Sequence, residues 1–281
     1  MNLRRFLHRT WLRIASHGRK PTFLIIGAAR CGTTSLFHYL AGHPQVAVPR
    51  TKEIHFFDFQ YEKGIDWYMK CLASTKTQTG SRGTPTVCGE ASPYYIFHPH
   101  AIQRIRMDLP KVKLIALLRN PVDRAYSHYW HMMRLGHESL SFEEAVAREP
   151  ERLAGELERT AADASYHSYA LVRHSYVMRG IYADQFARVL RHFPRSQVKI
   201  LRSENLYADP QRAFDEVADF LGIERCAIAG PQNMTAVTEG TGAWVPPPMG
   251  RGVRRQLAEF FRPHNQRLYE LLGRHFAWGR E

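Results

Sequence analysis

The sequence predicts an α/β protein in which helices cover both faces of a parallel sheet. Three strand–helix units carry that expectation. Phe23–Ile26 is a short β-branched and aromatic run that stops at Gly27; after the turn Ala28–Gly32, the stretch Thr33–Ala41 reads as a helix closed by Gly42 and Pro44. Lys113–Leu118 is a second such run, leading into Asn120-Pro121, an N-cap followed by proline at the first helical position. The third unit is helix Tyr182–Phe193, strand Val198–Leu201 and helix Pro210–Leu221. Alternating strands and helices build a parallel sheet, whose ligands bind at the carboxyl ends of the strands. The residues just after Ile26 and Leu118 are therefore the first candidates for a site.

The remaining elements follow in chain order. Leu3, Phe6, Leu7, Trp11 and Ile14 recur at helical spacing with arginines between them, so residues 1–20 read as a basic amphipathic leader. Such a helix can lie on an anionic membrane or pack locally, and the pattern leaves both open. It has no continuous apolar core of a secretory signal. Ser74–Thr86 is a small, polar loop. After Pro121, Val122, Ala125, Tyr126, Tyr129, Trp130 and Met133 form one apolar helical stripe. Leu135–Ser175 is polar and charged, with a helix at Ser141–Ala147, and reads as a helical insertion over the core. Gly222–Gly252 is a loop rich in Gly, Pro and Thr, and Val253–Gly273 a closing helical region. The expected organisation is the leader 1–20 and one domain, 21–281, with an insertion near 135–175.

Composition narrows the function. Hydrophobic residues make up 44% of the 281 positions, enough for a sizeable core, so wholesale disorder is excluded. No apolar run approaches the roughly 18 residues of a membrane span, and a cytoplasmic location is the default expectation. The formal charge of +13 points to an anionic partner: nucleic acid, a membrane surface or a small phosphorylated ligand. Six of those charges lie in the first twenty residues, which leaves +7 on the rest. Cys31, Cys71, Cys88 and Cys226 are scattered, with no CxxC and no Cys/His cluster at zinc spacing, so neither a disulfide framework nor a metal is expected.

Gly27-Ala28-Ala29-Arg30-Cys31-Gly32-Thr33-Thr34 has the spacing of a nucleotide P-loop. Small residues let the backbone turn tightly, so that successive N–H groups and a helix N-terminus face an anion. Yet Thr33 stands where the lysine should follow the second glycine, and the cation is Arg30, inside the loop. The second strand ends Leu118-Arg119 rather than in a magnesium-binding acid. The loop predicts an anion held without Mg²⁺, on a P-loop-like sheet. Cys31 reads as a small spacer.

The loop, Thr51-Lys52-Glu53-Ile54-His55-Phe56-Phe57-Asp58, Lys63-Gly64-Ile65-Asp66-Trp67-Tyr68, Leu118–Ser127, Gly180-Ile181-Tyr182 and Phe261-Arg262-Pro263-His264-Asn265 occur in an order that resembles the sulfotransferases using 3′-phosphoadenosine 5′-phosphosulfate (PAPS). The branch acting on heparan sulfate glucosaminyl residues is the most similar. The resemblance runs from about Pro21 to Gly273 and implies the sulfotransferase fold. It implies that Arg30, Cys31, Gly32, Thr33, Thr34 and Ser35 hold the 5′-phosphosulfate, that Arg119 and Ser127 grip the 3′-phosphate, and that Glu53 is the general base. Lys52 and His55 flank Glu53 and would orient it or touch the bridging oxygen. The chemistry agrees, because an acceptor must lose a proton as the new S–O bond forms and a nearby carboxylate can take it. Phe56 and Phe57 read as core or pocket wall.

Three departures are visible. Arg30 stands where the family often has lysine, which keeps the charge but makes it a poor proton donor. Ala91 stands where the heparan-type enzymes carry a lysine. Thr241-Gly242-Ala243-Trp244 lacks the basic character of their loop, for which Arg251, Arg254 or Arg255 could substitute. The leading expectation is a metal-free, PAPS-dependent transfer to a hydroxyl or amine of a sugar-containing acceptor (polysaccharide, oligosaccharide or glycolipid), with no nucleic-acid partner and with membrane contact through residues 1–20 left open. A nucleotide-dependent kinase and a non-catalytic basic module binding membrane or nucleic acid are the alternatives.

Overall fold

A computed structural model describes residues 20–73, 75–76, 86–228 and 246–278. Most of the leader, most of Ser74–Thr86 and the segment Thr241–Trp244 lie outside them. The described chain runs β1 (Phe23–Gly27), α1 (Thr33–Ala41), β2 (Val46–Pro49), α2 (Phe56–Phe59), α3 (Ile65–Ala73), β3 (Thr75–Lys76), β4 (Val87–Ala91), α4 (Ala101–Asp108), β5 (Lys113–Leu118) and α5 (Pro121–Arg134). Then come α6 (Phe142–Ala147), α7 (Glu149–Arg152), α8 (Glu156–Ala162), α9 (Tyr169–Arg173), α10 (Tyr182–His192), β6 (Val198–Arg202), α11 (Ser203–Ala208), α12 (Pro210–Leu221) and α13 (Arg251–Leu272).

The sheet order is β3-β2-β4-β1-β5-β6. Five strands are parallel, and only the short edge strand β3 runs antiparallel, against β2. The parallel sheet flanked by helices is the one the sequence predicts, with this short strand added at its edge. β1 is central, with Phe23 level with Gly89 of β4 and Lys113 of β5. Phe23, Leu24, Ile25 and Ile26 are wholly buried because helices lie on both faces, which is why β1 reads as an unbroken apolar run. The chain leaves β1 toward one edge and later builds the other from β5, so β1 borders the point where the winding reverses. Its register slips between Ile25 and Gly27, where the strand gives way to the turn.

The sequence pattern missed β2 and β4, the first for its brevity and the second because Gly89 and Glu90 interrupt it. The buried side of α5 also differs from the predicted stripe. Arg124, His128 and Met132 are buried, whereas Tyr126, Trp130 and Met133 are only partly covered. The insertion explains this: Arg124 donates to the carbonyl of Tyr176, and the His128 ring packs on Tyr176. The insertion is a chain of short helices rather than a polar layer, and Leu153 and Leu171 close a small apolar cluster with Tyr94 and Phe97. Ser141 caps α6 in a reciprocal pair with Glu144.

α13 packs on the other flank of α5. Phe261 joins Val122, Ala125 and Tyr129 in one cluster, and Arg254 pairs with Asp123 at 2.6 Å. Gly180 permits this approach, since a Cβ there would lie 2.7 Å from the Phe261 ring.

Candidate active site

The anion loop begins where β1 ends. Arg30 and Gly32 both adopt left-handed backbone, with φ of 68° and 88°, a conformation concentrated at ligand-binding turns. Gly32 occupies the N-cap of α1 with no side-chain cap, so the first-turn N–H groups of Thr33, Thr34 and Ser35 are left to an incoming anion. The Thr33 and Ser35 side chains are buried, so their contribution to a ligand is the backbone amide. Cys31 is also buried; burial pushes its thiol up, away from thiolate, which suits a spacer.

The second anion element starts at the end of β5. Asn120 caps α5 by accepting from Val122 N at 3.0 Å, with Pro121 in the first turn, as the sequence predicts. Ser127 lies on this helix, half-buried. Arg30 Nε donates to Ser127 Oγ at 3.2 Å, joining residues 97 positions apart. Among the described residues no carboxylate pairs with Arg30 or Arg119. Burial, with Arg119 and Arg134 nearby, lowers Arg30 to about 10, so it remains charged at neutral pH. Two guanidiniums close enough to influence one another, neither paired with a carboxylate among the described residues, make a strong preference for an anion.

Glu53 is tied to the anion loop by a line of contacts. Lys52 Nζ donates to Thr34 Oγ1 at 3.2 Å and to Glu53 Oε1 at 3.0 Å. The other Glu53 oxygen accepts from His55 Nε2 at 3.0 Å, and His55 Nδ1 is 2.7 Å from buried Asp58 Oδ2. Burial alone would lower His55, but the hydrogen bonds and charges of Asp58 and Glu53 outweigh it and raise the imidazole to about 10. It is therefore an imidazolium donating from both nitrogens. Burial likewise opposes ionisation of Glu53, yet His55 and Lys52 hold its carboxyl at about 2. His55 has a left-handed backbone, φ 54°, fixed by its N–H donating to Ser92 Oγ at 3.0 Å. Ser92 in turn donates to Glu90 Oε2 at 2.9 Å; burial raises Glu90 to about 7.

Arg30, Cys31, Gly32, Thr33, Thr34, Ser35, Lys52, Glu53, His55 and Ser127 are thus gathered at the carboxyl end of the sheet, with Arg119 at the end of β5. Among the described residues, no group of three or more His, Cys, Asp or Glu side chains is arranged to hold a metal ion. No helix of the described residues is long and apolar enough to cross a membrane.

The sequence profile of the sulfotransferase domain matches residues 20–237. The chain belongs to the sulfotransferase family. A sulfotransferase crystal structure from Alicyclobacillus acidocaldarius superposes with a TM-score of 0.73 at 33% identity, covering 93% of this chain and all of that one. The fold is the P-loop-like sulfotransferase fold. The mouse heparan sulfate glucosamine 3-O-sulfotransferase 3B1 is 31% identical over 278 residues, covering 92% of this chain and 65% of the mouse protein. A membrane-associated sulfotransferase, kil1, of Dictyostelium discoideum is 27% identical over 323 residues, covering 92% of this chain and 66% of its own length. The chain thus spans slightly less than two thirds of the length of these two relatives.

Phe56 and Phe57 are fully buried core, as read from the sequence. Asp58 and Ser92 are functional candidates that sequence reasoning left unassigned. Asp58 could have been found from its i+3 spacing to His55, whereas Ser92 could not, since only the fold brings it there. Ala91 is wholly buried on β4. Arg254, a candidate substitute for the family's basic loop, is turned to Asp123, while Arg251 and Arg255 are exposed on α13.

Proposed function

We propose that this chain is a PAPS-dependent sulfotransferase acting on a hydroxyl or amine of a carbohydrate-containing acceptor. The observation that carries the reading is the unbroken line Thr34–Lys52–Glu53–His55–Asp58, which couples the anion loop to an ionised carboxylate. PAPS supplies a sulfuryl group on a phosphate that leaves readily. The uncapped α1 and the uncompensated Arg30 and Arg119 fit its two anionic ends, the 5′ side over Gly32 and the 3′ side at Arg119 and Ser127.

Glu53 takes the acceptor proton. As the acceptor oxygen or nitrogen bonds to sulfur, the S–O bond to phosphate breaks, and the acceptor proton becomes acidic enough for a carboxylate held near 2 to receive it. Lys52, between Thr34 and Glu53, supports charge that moves onto the departing phosphate. His55, locked by Asp58, fixes which Glu53 oxygen faces the acceptor. Alignment and electrostatics supply the rate, without a metal or covalent intermediate. Residues 21–281 act as one catalytic unit in this reading.

A carbohydrate acceptor is supported by the similarity to enzymes named for heparan sulfate glucosamine. Peripheral contact with an anionic membrane through residues 1–20 is supported by the basic amphipathic pattern and by the similarity to a protein named membrane-associated.

Calorimetric titration with 3′-phosphoadenosine 5′-phosphate, the spent donor, without Mg²⁺ tests the donor site. The wild type is expected to bind in the micromolar range and Arg119→Ala to lose binding. Labelled PAPS with a panel of saccharides then identifies the acceptor. A wild type that ignores the spent donor but binds ATP with Mg²⁺ overturns the reading in favour of a kinase.

A further inference from the structure

One side chain over the anion loop has no role in the arrangement above. Tyr207 lies on α11, directly after β6. This short helix is fastened to both anion-binding segments. Ser203 Oγ donates to the carbonyl of Cys31 at 2.9 Å, and Glu204 Oε1 accepts from Asn120 N at 2.8 Å. Arg202 braces Glu204 from the end of β6 at 3.0 Å. Tyr207 is therefore held against the loop, not carried on a free surface.

Its phenol reaches Gly32. A Cβ built on that glycine would lie 3.1 Å from Tyr207 Oη and 3.4 Å from its Cζ, with Leu206 also at 3.1 Å. Gly32 is the residue whose left-handed turn opens α1 toward an anion, so the hydroxyl stands beside the expected phosphate position. Tyr207 is 45% exposed, and its hydroxyl has no hydrogen-bond partner among the described residues. Burial raises it while Arg119 and Arg30 pull the other way, and the balance keeps it a neutral phenol able to donate. A neutral O–H near Arg30 is matched by a phosphate oxygen, which can accept from both.

We propose that Tyr207 is a further donor-binding residue, its phenol O–H donating to the 5′-phosphate seated over Gly32. This rests on the PAPS reading. The hydroxyl adds a hydrogen bond to a charged ligand at Gly32.

The test compares wild type, Tyr207→Phe, Tyr207→Ala and Arg119→Ala by calorimetric titration with 3′-phosphoadenosine 5′-phosphate, alongside their melting temperatures. Tyr207→Phe is expected to bind about tenfold more weakly, the effect of one charge-assisted hydrogen bond. Its melting temperature should not move, because the hydroxyl has no protein partner to lose. Tyr207→Ala should bind at least as weakly as Tyr207→Phe. If both Tyr207 variants bind as tightly as wild type while Arg119→Ala does not bind, the inference about Tyr207 is overturned and the donor site stands. If wild type itself does not bind, the donor reading fails, and the role of Tyr207 fails with it.

Discussion

Replacing Asp58 by asparagine should uncouple His55 from its charged state while leaving the shape of the site almost intact. Wild-type His55 is raised from 6.5 to about 10 although burial acts against it. A displacement of that size corresponds to about 5 kcal/mol of preference for imidazolium. Two carboxylates supply it, Asp58 at 2.7 Å and Glu53 at 3.0 Å, and Asp58 is the shorter and fully buried contact. Asparagine retains an oxygen for the His55 Nδ1 proton but removes the charge, so about half of the preference, roughly 2–3 kcal/mol, should vanish. His55 would then titrate near or below about 8.5. Histidine-selective ¹⁵N NMR titration reads this, with the His55 signal assigned from a His55→Gln sample. The sign for stability follows from the same values. A pairing that raises the folded value stabilises fully below 6.5, and that stability is lost progressively as pH rises to about 10. The alkaline decline in unfolding free energy should therefore be shallower in Asp58→Asn. A wild-type His55 that titrates near 6.5, or one that Asp58→Asn leaves unmoved, refutes the coupled line of charges.

Two further substitutions probe the scaffold of the site. Gly32→Ala places a Cβ on a residue with φ of 88° and within 3.1 Å of Leu206 and Tyr207, so about 1–2 kcal/mol of stability in urea unfolding should be lost, together with affinity for the spent donor. Glu90 is raised from 4.5 to about 7 by burial, so the folded protein holds a proton that the unfolded chain has released, and stability falls as pH rises through that window. Glu90→Gln should remove this decline, gaining up to about 3 kcal/mol relative to wild type at pH 8 but little at pH 5; equal unfolding curves at both pH values would contradict a buried, proton-holding carboxyl.

How much of this was legible in the sequence depended on whether a residue's task was local. β1, α1, β5, α5 and α12 could be read because uninterrupted apolar runs and helix punctuation are local signals. β4 could not, since its buried Glu90 and Gly89 break the run that marks an interior strand. The buried side of α5 misled for a tertiary reason: Arg124 and His128 carry solvent-type side chains, and only the insertion folding over them takes them inside. In the site, Arg30, Thr34, Lys52, Glu53 and His55 come from two short segments whose resemblance to a known family fixed their order. Ser92 and Tyr207 are brought to the site from distant segments, Ser92 to His55 and Tyr207 to Gly32, and no spacing rule connects those pairs.

The seating of α13 against α5 has a consequence for biosynthesis. Val122, Ala125 and Tyr129 are completed by Phe261, and Asp123 by Arg254, from a helix translated more than a hundred residues later. A nascent chain on the ribosome can build β1, its anion loop and β5 early. The helix bearing Ser127 is not seated until the stretch beyond Gly250 has emerged. A message truncated before that point would yield a chain with the sheet partly formed and the apolar flank of α5 bare. Such a product would be a substrate for chaperones and proteases rather than a weakened form of the full chain, so premature stops between α5 and α13 should share one phenotype.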